Sequence, residues 1–409
     1  MTLNLRMAWR NLWRHKRRTW LTATAMIFSN VLLIFMISLQ LGSYDMMINN
    51  TLYAFSGHVQ VQQKRYNENP KLRTSIPEVQ KLADEVRQAL PDFNVTARAA
   101  AFALASSDQR SLGIQVIGVQ PGDEPKVSTL PGLVSQGRFL DDPDAAEIVI
   151  GSVMARNLKV TTGDELTLLG SGRDGSFAAG VVTVVGVFNS GSNDMDRSFA
   201  EVPLNYFQDT FTMEGHGNSI AVSMDNLGQL PAAVARLDAV ISGRDGLVIL
   251  DWTALHPGLQ QAIKADFSSA WFMYGVLIIL VAFSVLNTQL MSVLERTREF
   301  GVITALGIRP GKLASLVMLE TALMAAIGLA IGVFLGALVA LYFNATGFSY
   351  PGMEEMAQRF NLPGKVFPSV STLSLLLGPV IVFLFCLLAS IYPALRLFRL
   401  RPVEAMRAV

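Results

Sequence analysis

Four long apolar stretches interrupt the chain: residues 19–41, 269–292, 314–343 and 371–393. Each is long enough to cross a hydrocarbon core about 30 Å thick, which takes roughly 20 helical residues, and so each predicts a transmembrane helix. Residues 42–268, between the first and second stretch, follow a different pattern. GHVQVQQ (57–63), LGIQVIGV (112–119), VVTVVGVF (181–188) and NSIAVSM (218–224) alternate apolar and polar positions as strands do. PEVQKLADEVRQAL (77–90) and LPAAVARLDAV (230–240) carry helical periodicity, with Pro77 and Pro231 suited to a first turn. The predicted fold class is an α-helical membrane protein with four transmembrane helices and a large α+β extracytoplasmic domain inserted between the first and second. A β-rich lobe is marked out at about 137–205.

Charge orients these elements. Arg6, Arg10, Arg14, Lys16, Arg17 and Arg18 precede the first stretch; Arg296, Arg298, Arg309 and Lys312 join the second to the third; Arg396, Arg399, Arg401 and Arg407 follow the fourth. By the excess of basic residues on cytoplasmic loops, residues 1–18, 293–313 and 394–409 face the cytoplasm. Residues 42–268 and 344–370 then lie outside, and the larger segment holds 17 basic against 26 acidic side chains, a split hidden by the net charge of +1. In residues 1–18, Leu5, Ala8, Trp9, Leu12 and Trp13 recur at helical spacing with Arg6, Arg10 and Arg14 on another face. That arrangement predicts a basic amphipathic helix lying on the inner membrane surface.

Catalytic chemistry finds little support. The sole cysteine, Cys386, lies within the fourth apolar stretch and reads as a small buried hydrophobe. His58, His216 and His256 lack metal-ligand spacing, so no metal is expected. Asp194 and Asp196 sit among Gly, Ser and Asn and read as solvated turn residues. GIRPGKL (307–313) falls one residue short of a phosphate-binding loop and has Leu313 where a hydroxyl is needed, so this chain should bind no ATP. Within the membrane stretches, Gly328, Gly332 and Gly336 form a small-residue stripe that predicts a packing seam, within the chain or between subunits, and Asn30 is expected to bond a neighbouring helix. Glu320, two turns inside the third stretch, is expected to pair with a base or to reach the interface. Phe348, Tyr350, Met353, Met356 and Phe360 mark an external segment able to lie on the outer leaflet or meet a substrate.

ERTREFGVITALGIRPGK (295–312) joins the second and third stretches. Glu295 and Glu299 stand at helical spacing with Arg296 and Arg298, Gly307 is placed to end a helix, and Pro310 to bar its continuation. Physical chemistry alone leaves two readings open, a helix-turn-helix elbow and a solvated positive loop.

This segment, together with AWRNLWRHKRRTWLT at the start and YPALRLFRLRPVEAMR (392–407) near the end, resembles the MacB/LolC/LolE/FtsX family of ABC-transporter membrane subunits. GRFLDDPDAAEIVIGSVMARNLKVTTGDELTLLG (137–170) and VVTVVGVFNSGSNDMDRSFAEVPLNYFQ (181–208) are most similar to the LolC/LolE branch. The resemblance implies a non-catalytic permease of the cell inner membrane with both termini cytoplasmic. It also implies a second permease subunit, identical or homologous, and a cytoplasmic ABC ATPase dimer that binds the ATP and Mg. In that family the loop docks on the ATPase, which assigns coupling to Glu295, Arg296, Thr297, Arg298, Glu299, Phe300, Gly301, Ala305, Leu306 and Gly307. The implied work is lipoprotein transport with a periplasmic carrier. Alternatives within the family are a MacB-like efflux permease with an outer-membrane duct and an FtsX-like regulator of a cell-wall hydrolase. SGRDGSFAAG (171–180), where LolC relatives project towards the carrier, is short and lacks proline. No nucleic-acid partner is expected.

Overall fold

Helical and strand periodicities segregate into two units in the computed structural model, which describes residues 3–14, 16–353 and 364–399. One unit comprises Met1–Met46, Ala262–Tyr350 and Lys365–Val409, the other Met47–Gln261 and Pro351–Gly364. The chain begins with α1 (Leu3–Leu12) and α2 (Lys16–Thr51), followed by one π-helical turn at Leu52–Ser56. At 1.5 Å per residue the 36 residues of α2 span about 54 Å, well beyond the roughly 30 Å that a bilayer requires.

In the second unit β1 (Val59–Gln63), β2 (Asn94–Ser106), β3 (Ser111–Val119), β4 (Val134–Gly137), β5 (Glu147–Gly151), β6 (Glu165–Ser171), β7 (Phe177–Phe188), β8 (Phe199–Pro203), β9 (Ser219–Ser223) and β10 (Leu247–Asp251) build one mixed sheet. Its order is β10-β1-β9-β2-β3-β8-β5-β7-β4, with β6 joined to β2 and β7. Residues 137–205 therefore form no sheet of their own: β8 pairs with β3, and β6 with β2. The longest strand, β2, carries alanine at nearly every second position, a composition that favours helix. Tertiary packing overrides that propensity. Ala97, Ala99, Ala101, Ala103 and Ala105 are buried, and their short side chains leave room for the helices laid on the sheet.

Those helices are α3 (Val79–Ala89), α4 (Glu124–Val127), α5 (Ser152–Leu158), α6 (Asn193–Ser198), α7 (Leu204–Thr210), α8 (Leu230–Ile241) and α9 (Trp252–Leu255). Leu82 and Val86 of α3, Phe207 of α7 with the following Phe211, and Leu237 of α8 share one core with the sheet. Each fully buried side chain of this size contributes about 1.5–3 kcal/mol. A Cβ on Gly118 of β3 would lie 2.6 Å from Phe207 Cβ, so that position must stay bare for α7 to seat. The first and last strands pair antiparallel, Val59 opposite Asp251, and His256 Nε2 lies 2.8 Å from Ser56 Oγ. The chain thus enters and leaves the domain on neighbouring strands.

The first unit is completed by α10 (Pro257–Glu295), α11 (Thr297–Ala305), α12 (Pro310–Thr346) and α13 (Thr372–Arg396). Among the described residues four helices, those containing α2, α10, α12 and α13, are long and apolar enough to cross a membrane. Polar pairs tie α2 to α10 in antiparallel register: Thr22 with Thr288 at 3.1 Å, Gln40 with Tyr274 at 2.7 Å and Tyr44 with Asp266 at 2.6 Å. Proline interrupts neither end of α13, which runs through Pro379 and Pro393.

Candidate functional site

The segment between α10 and α12 is an elbow. Helical geometry stops at Arg296 (φ −98°, ψ 12°), resumes as α11 and ends at Gly307, whose φ of +93° suits glycine. Gly307 N donates to Thr304 O (3.0 Å) and Ile308 N to Ile303 O (3.3 Å), the paired bonds of a Schellman cap. Arg309 is extended, and Pro310 sits in the first turn of α12, where its missing N–H costs nothing.

One face of α11 is anchored. Phe300 is fully buried with Val293 of α10, Leu313 and Val317 of α12, Ala394 of α13 and Leu397. Beside it, Arg296 Nη1 donates to both carboxylate oxygens of Glu320 at 3.0 and 3.1 Å, and its guanidinium lies 4.8 Å from the centre of the Phe300 ring. Asn11 Nδ2 of α1 donates to Glu320 Oε1 at 2.6 Å. Glu299 Oε1 meets Arg14 Nη2 at 2.8 Å, while its Oε2 lies 3.5 Å from Arg296 Nε. Partial burial pushes the Glu299 carboxyl upward, but the Arg14 bond and the charges of Arg14 and Arg296 outweigh it and hold the group below its ordinary value. The break in the helix is therefore where one guanidinium fastens α11 to α12 and, through Asn11, to α1. A cavity of about 40 Å³ beside Thr288, Gln289 and Ser292 leaves room for water only.

The opposite face is open and apolar. Leu306 is 79% exposed, and Val302 and Ile308 are exposed beside it with Arg298 and Ala305. Of the residues expected to contact an ATPase, Glu295, Arg298, Ala305, Leu306 and Gly307 are exposed, Arg296, Thr297 and Glu299 are half-buried, and Phe300 and Gly301 are buried. Val302 and Ile308 lie outside the set that the resemblance assigns to coupling. The four-residue step from Val302 to Leu306 is the signal that could have found them. Asn11 and Arg14 had no signal in sequence at all, because their partners are about 300 residues away. The apolar stripe of α1 also divides differently from expectation. Ala8 and Leu12 are buried in the protein, and Trp9 and Trp13 are exposed with ring centroids 5.9 Å apart.

The glycine stripe lies within the chain. Cβ atoms on Gly328, Gly332 and Gly336 would stand 2.9, 2.6 and 2.7 Å from atoms of Met26, Asn30 and Ile34, so α12 approaches α2 as closely as backbones allow. Asn30 Nδ2 donates to Gly328 O at 3.3 Å. Of the external segment, Phe348 packs edge-on against Phe35 and Phe343, each 5.5 Å away, Tyr350 is exposed and Met353 is buried. Met356 and Phe360 lie outside the described residues.

The second unit holds its own buried charges. Arg98 donates to Glu124 through Nε (3.0 Å) and Nη2 (2.5 Å), and also to Phe55 O. Glu201 is buried on β8 with neither oxygen hydrogen-bonded. Burial, then the Glu124 charge, drive its carboxyl well above the ordinary value against the opposing pull of Arg98. Asp196 is no solvated turn residue: it is buried and accepts from Ser152 Oγ, Ser190 N and Ser190 Oγ. Burial lowers the His58 pKa to about 4, against the Asp225 charge, while Met224 N donates to Nδ1. Among the described residues no group of three or more His, Cys, Asp or Glu side chains could hold a metal.

Comparisons with known proteins match two stretches of the chain to family models and most of its length to relatives. A model of the MacB-like periplasmic core domain matches residues 19–240, more than half of the chain, and one of the FtsX-like permease C-terminal part matches residues 271–402. The lipoprotein-releasing system transmembrane protein LolC of Xylella fastidiosa (strain 9a5c) is 25% identical over 309 residues, 71% of this chain and 72% of that protein. LolE of Haemophilus influenzae, of the same system, is 26% identical over 330 residues, 74% of each chain. The macrolide export ATP-binding/permease protein MacB of Neisseria meningitidis serogroup A is 26% identical over 222 residues, 53% of this chain and 34% of that protein.

Proposed function

As this chain belongs to the family of FtsX-like permeases with a MacB-like periplasmic core domain, a multi-pass ABC-transporter permease of the inner membrane, we propose that it releases lipoproteins by converting a partner's ATP hydrolysis into motion of the core domain. In this reading the ATPase is a separate cytoplasmic dimer that holds ATP and Mg, and a second permease subunit completes the complex. Both termini and α11 face the cytoplasm, and the core domain is inserted between the first and second membrane helices. The observation that carries the reading is the two-sided α11. Its outward face offers Val302, Leu306 and Ile308 to a partner, and its inward face is fastened by Phe300 and Arg296 to the helices that must move. At their far ends α2 and α10 run on in sequence to strands that pair with each other, Val59 opposite Asp251. Displacement of either helix therefore acts on one edge of the sheet.

Leu306→Asp tests this directly. An exposed apolar anchor lost from an interface weakens binding by about tenfold or more, so the ATPase should fail to copurify while the permease folds and inserts normally. Undiminished ATPase binding removes α11 from the coupling. Cargo is read by what copurifies with the intact complex: a triacylated lipoprotein supports release, and an outer-membrane duct without lipoprotein supports an efflux role like that of the MacB relative.

A further inference from the structure

The cytoplasmic half of the first unit contains a second feature that coupling does not use. Gly311, Ser315 and Met318 of α12 face Ile391 and Leu395 of α13 and the following Phe398 across an open groove of about 510 Å³. That volume falls in the roughly 300–1,000 Å³ range of sites that hold small molecules. Small residues on α12 create the slot, and its apolar walls remain exposed: Leu395 is 57% and Phe398 56% accessible. No acidic side chain lines it.

Its cytoplasmic rim is basic. Lys312 directly follows Gly311 of the groove wall at the start of α12, and Arg399 directly follows Phe398. Arg309 and Arg396 adjoin them, all four are exposed, and none pairs with an acid among the described residues. By contrast, Arg14 and Arg296 have carboxylate partners. An apolar slot ending in unpaired cations at the membrane face matches a molecule with an acyl chain and an anionic head. We infer that this groove holds an anionic phospholipid of the cytoplasmic leaflet, its chain between α12 and α13 and its phosphate against Lys312 and Arg399. The leaflet assignment rests on the orientation proposed above.

The test uses the full permease–ATPase complex, delipidated in detergent and titrated with dioleoyl phosphatidylglycerol or dioleoyl phosphatidylcholine, with native mass spectrometry as readout. The glycerol lipid should bind saturably, one per chain, and more tightly than the choline lipid. Lys312→Gln and Arg399→Gln should each weaken it about fivefold, as loss of one basic residue near an anionic headgroup does. Ser315→Leu, which fills the slot, should reduce binding of both lipids, and Arg6→Gln/Arg10→Gln on α1 should change neither. Equal binding of the two lipids, no effect of Ser315→Leu, or an equal loss from the α1 pair overturns the site. Loss of ATPase from the Ser315→Leu complex with lipid binding intact overturns it in favour of a protein occupant. Orientation is read separately: the native Cys386 is buried, so an impermeant thiol reagent on intact spheroplasts reports an Arg399→Cys variant only if that end faces outward. Such labelling would refute the cytoplasmic assignment and leave the lipid titration standing.

Discussion

Two charge clusters, one in each unit, solve the same problem differently. At the elbow, Arg296 and Arg14 serve Glu320 and Glu299, so every carboxylate has a cation, and Asn11 adds a further donor. In the core domain the single guanidinium of Arg98 faces both Glu124 and Glu201 and bonds only the first. Burial and the Glu124 charge push the Glu201 carboxyl well above its ordinary value, towards the neutral form. A balanced cluster joins elements and breaks when either partner is lost, whereas a cluster with a surplus acid is stable only in one protonation state. The balanced one stands where helices are expected to transmit force, and the surplus one sits within a sheet.

The largest effect should come from Arg98→Met, which leaves Glu124 buried without a cation. Breaking such a pair costs about 3–5 kcal/mol, to be seen as lost hydrogen-exchange protection in β2 and β3 of the full chain. Glu320→Gln should be nearly as damaging at the elbow, because Arg296 then keeps only its longer contact with the half-exposed Glu299. Adding Arg296→Gln should recover about 1–3 kcal/mol of thermal stability in detergent, the size of coupling expected between contacting groups. A double variant no more stable than Glu320→Gln alone would sink the account of a balanced pair.

Next in size is the pH dependence of the domain. The folded Glu201 carboxyl holds its proton well above 4.5, its ordinary value, whereas the unfolded one releases it there. This contribution is therefore fully present below pH 4.5 and is lost as pH rises through the folded value. His58 acts in the opposite sense. It is neutral in the fold down to about 4 against an ordinary 6.5, so its contribution is present above 6.5 and lost as pH falls towards 4. The falling contribution as pH rises from 4.5 towards the folded value belongs to Glu201, and Glu201→Gln should remove it from hydrogen exchange at β8. An unchanged slope would show that another group carries it. The smallest effect is expected from Glu299→Gln, since a half-exposed ion pair contributes about 0–1 kcal/mol. Its loss should barely move the melting temperature, and a large drop would mean that Arg14 does more than the geometry implies.

Much of the architecture was legible in the chain because it rests on local periodicity. The spans, the strands at 57–63, 112–119, 181–188 and 218–224 and the helices at 77–90 and 230–240 are visible in the alternation of side chains. Strand β2 was not, because Ala97 to Ala105 read locally as helix. Gly307 and Pro310 allowed an elbow but left a solvated loop equally open, and the burial of Phe300 decided between them. Of the residues assigned to coupling, Glu299 pairs with Arg14 and lies beside Arg296, while Leu306 is exposed.

Sequence by itself determined what depends on near neighbours and on composition: four membrane-length helices, an acidic domain with basic flanks, a Gly307–Pro310 break between the second and third, and a family with characteristic ends. Tertiary structure decided what depends on residues far apart. It placed Glu320 between Arg296 and Asn11, set Gly332 against Asn30, and buried Glu201 in the field of Glu124 and Arg98. Such contacts leave no periodic trace, because the energy of a buried charge is set by what surrounds it in space.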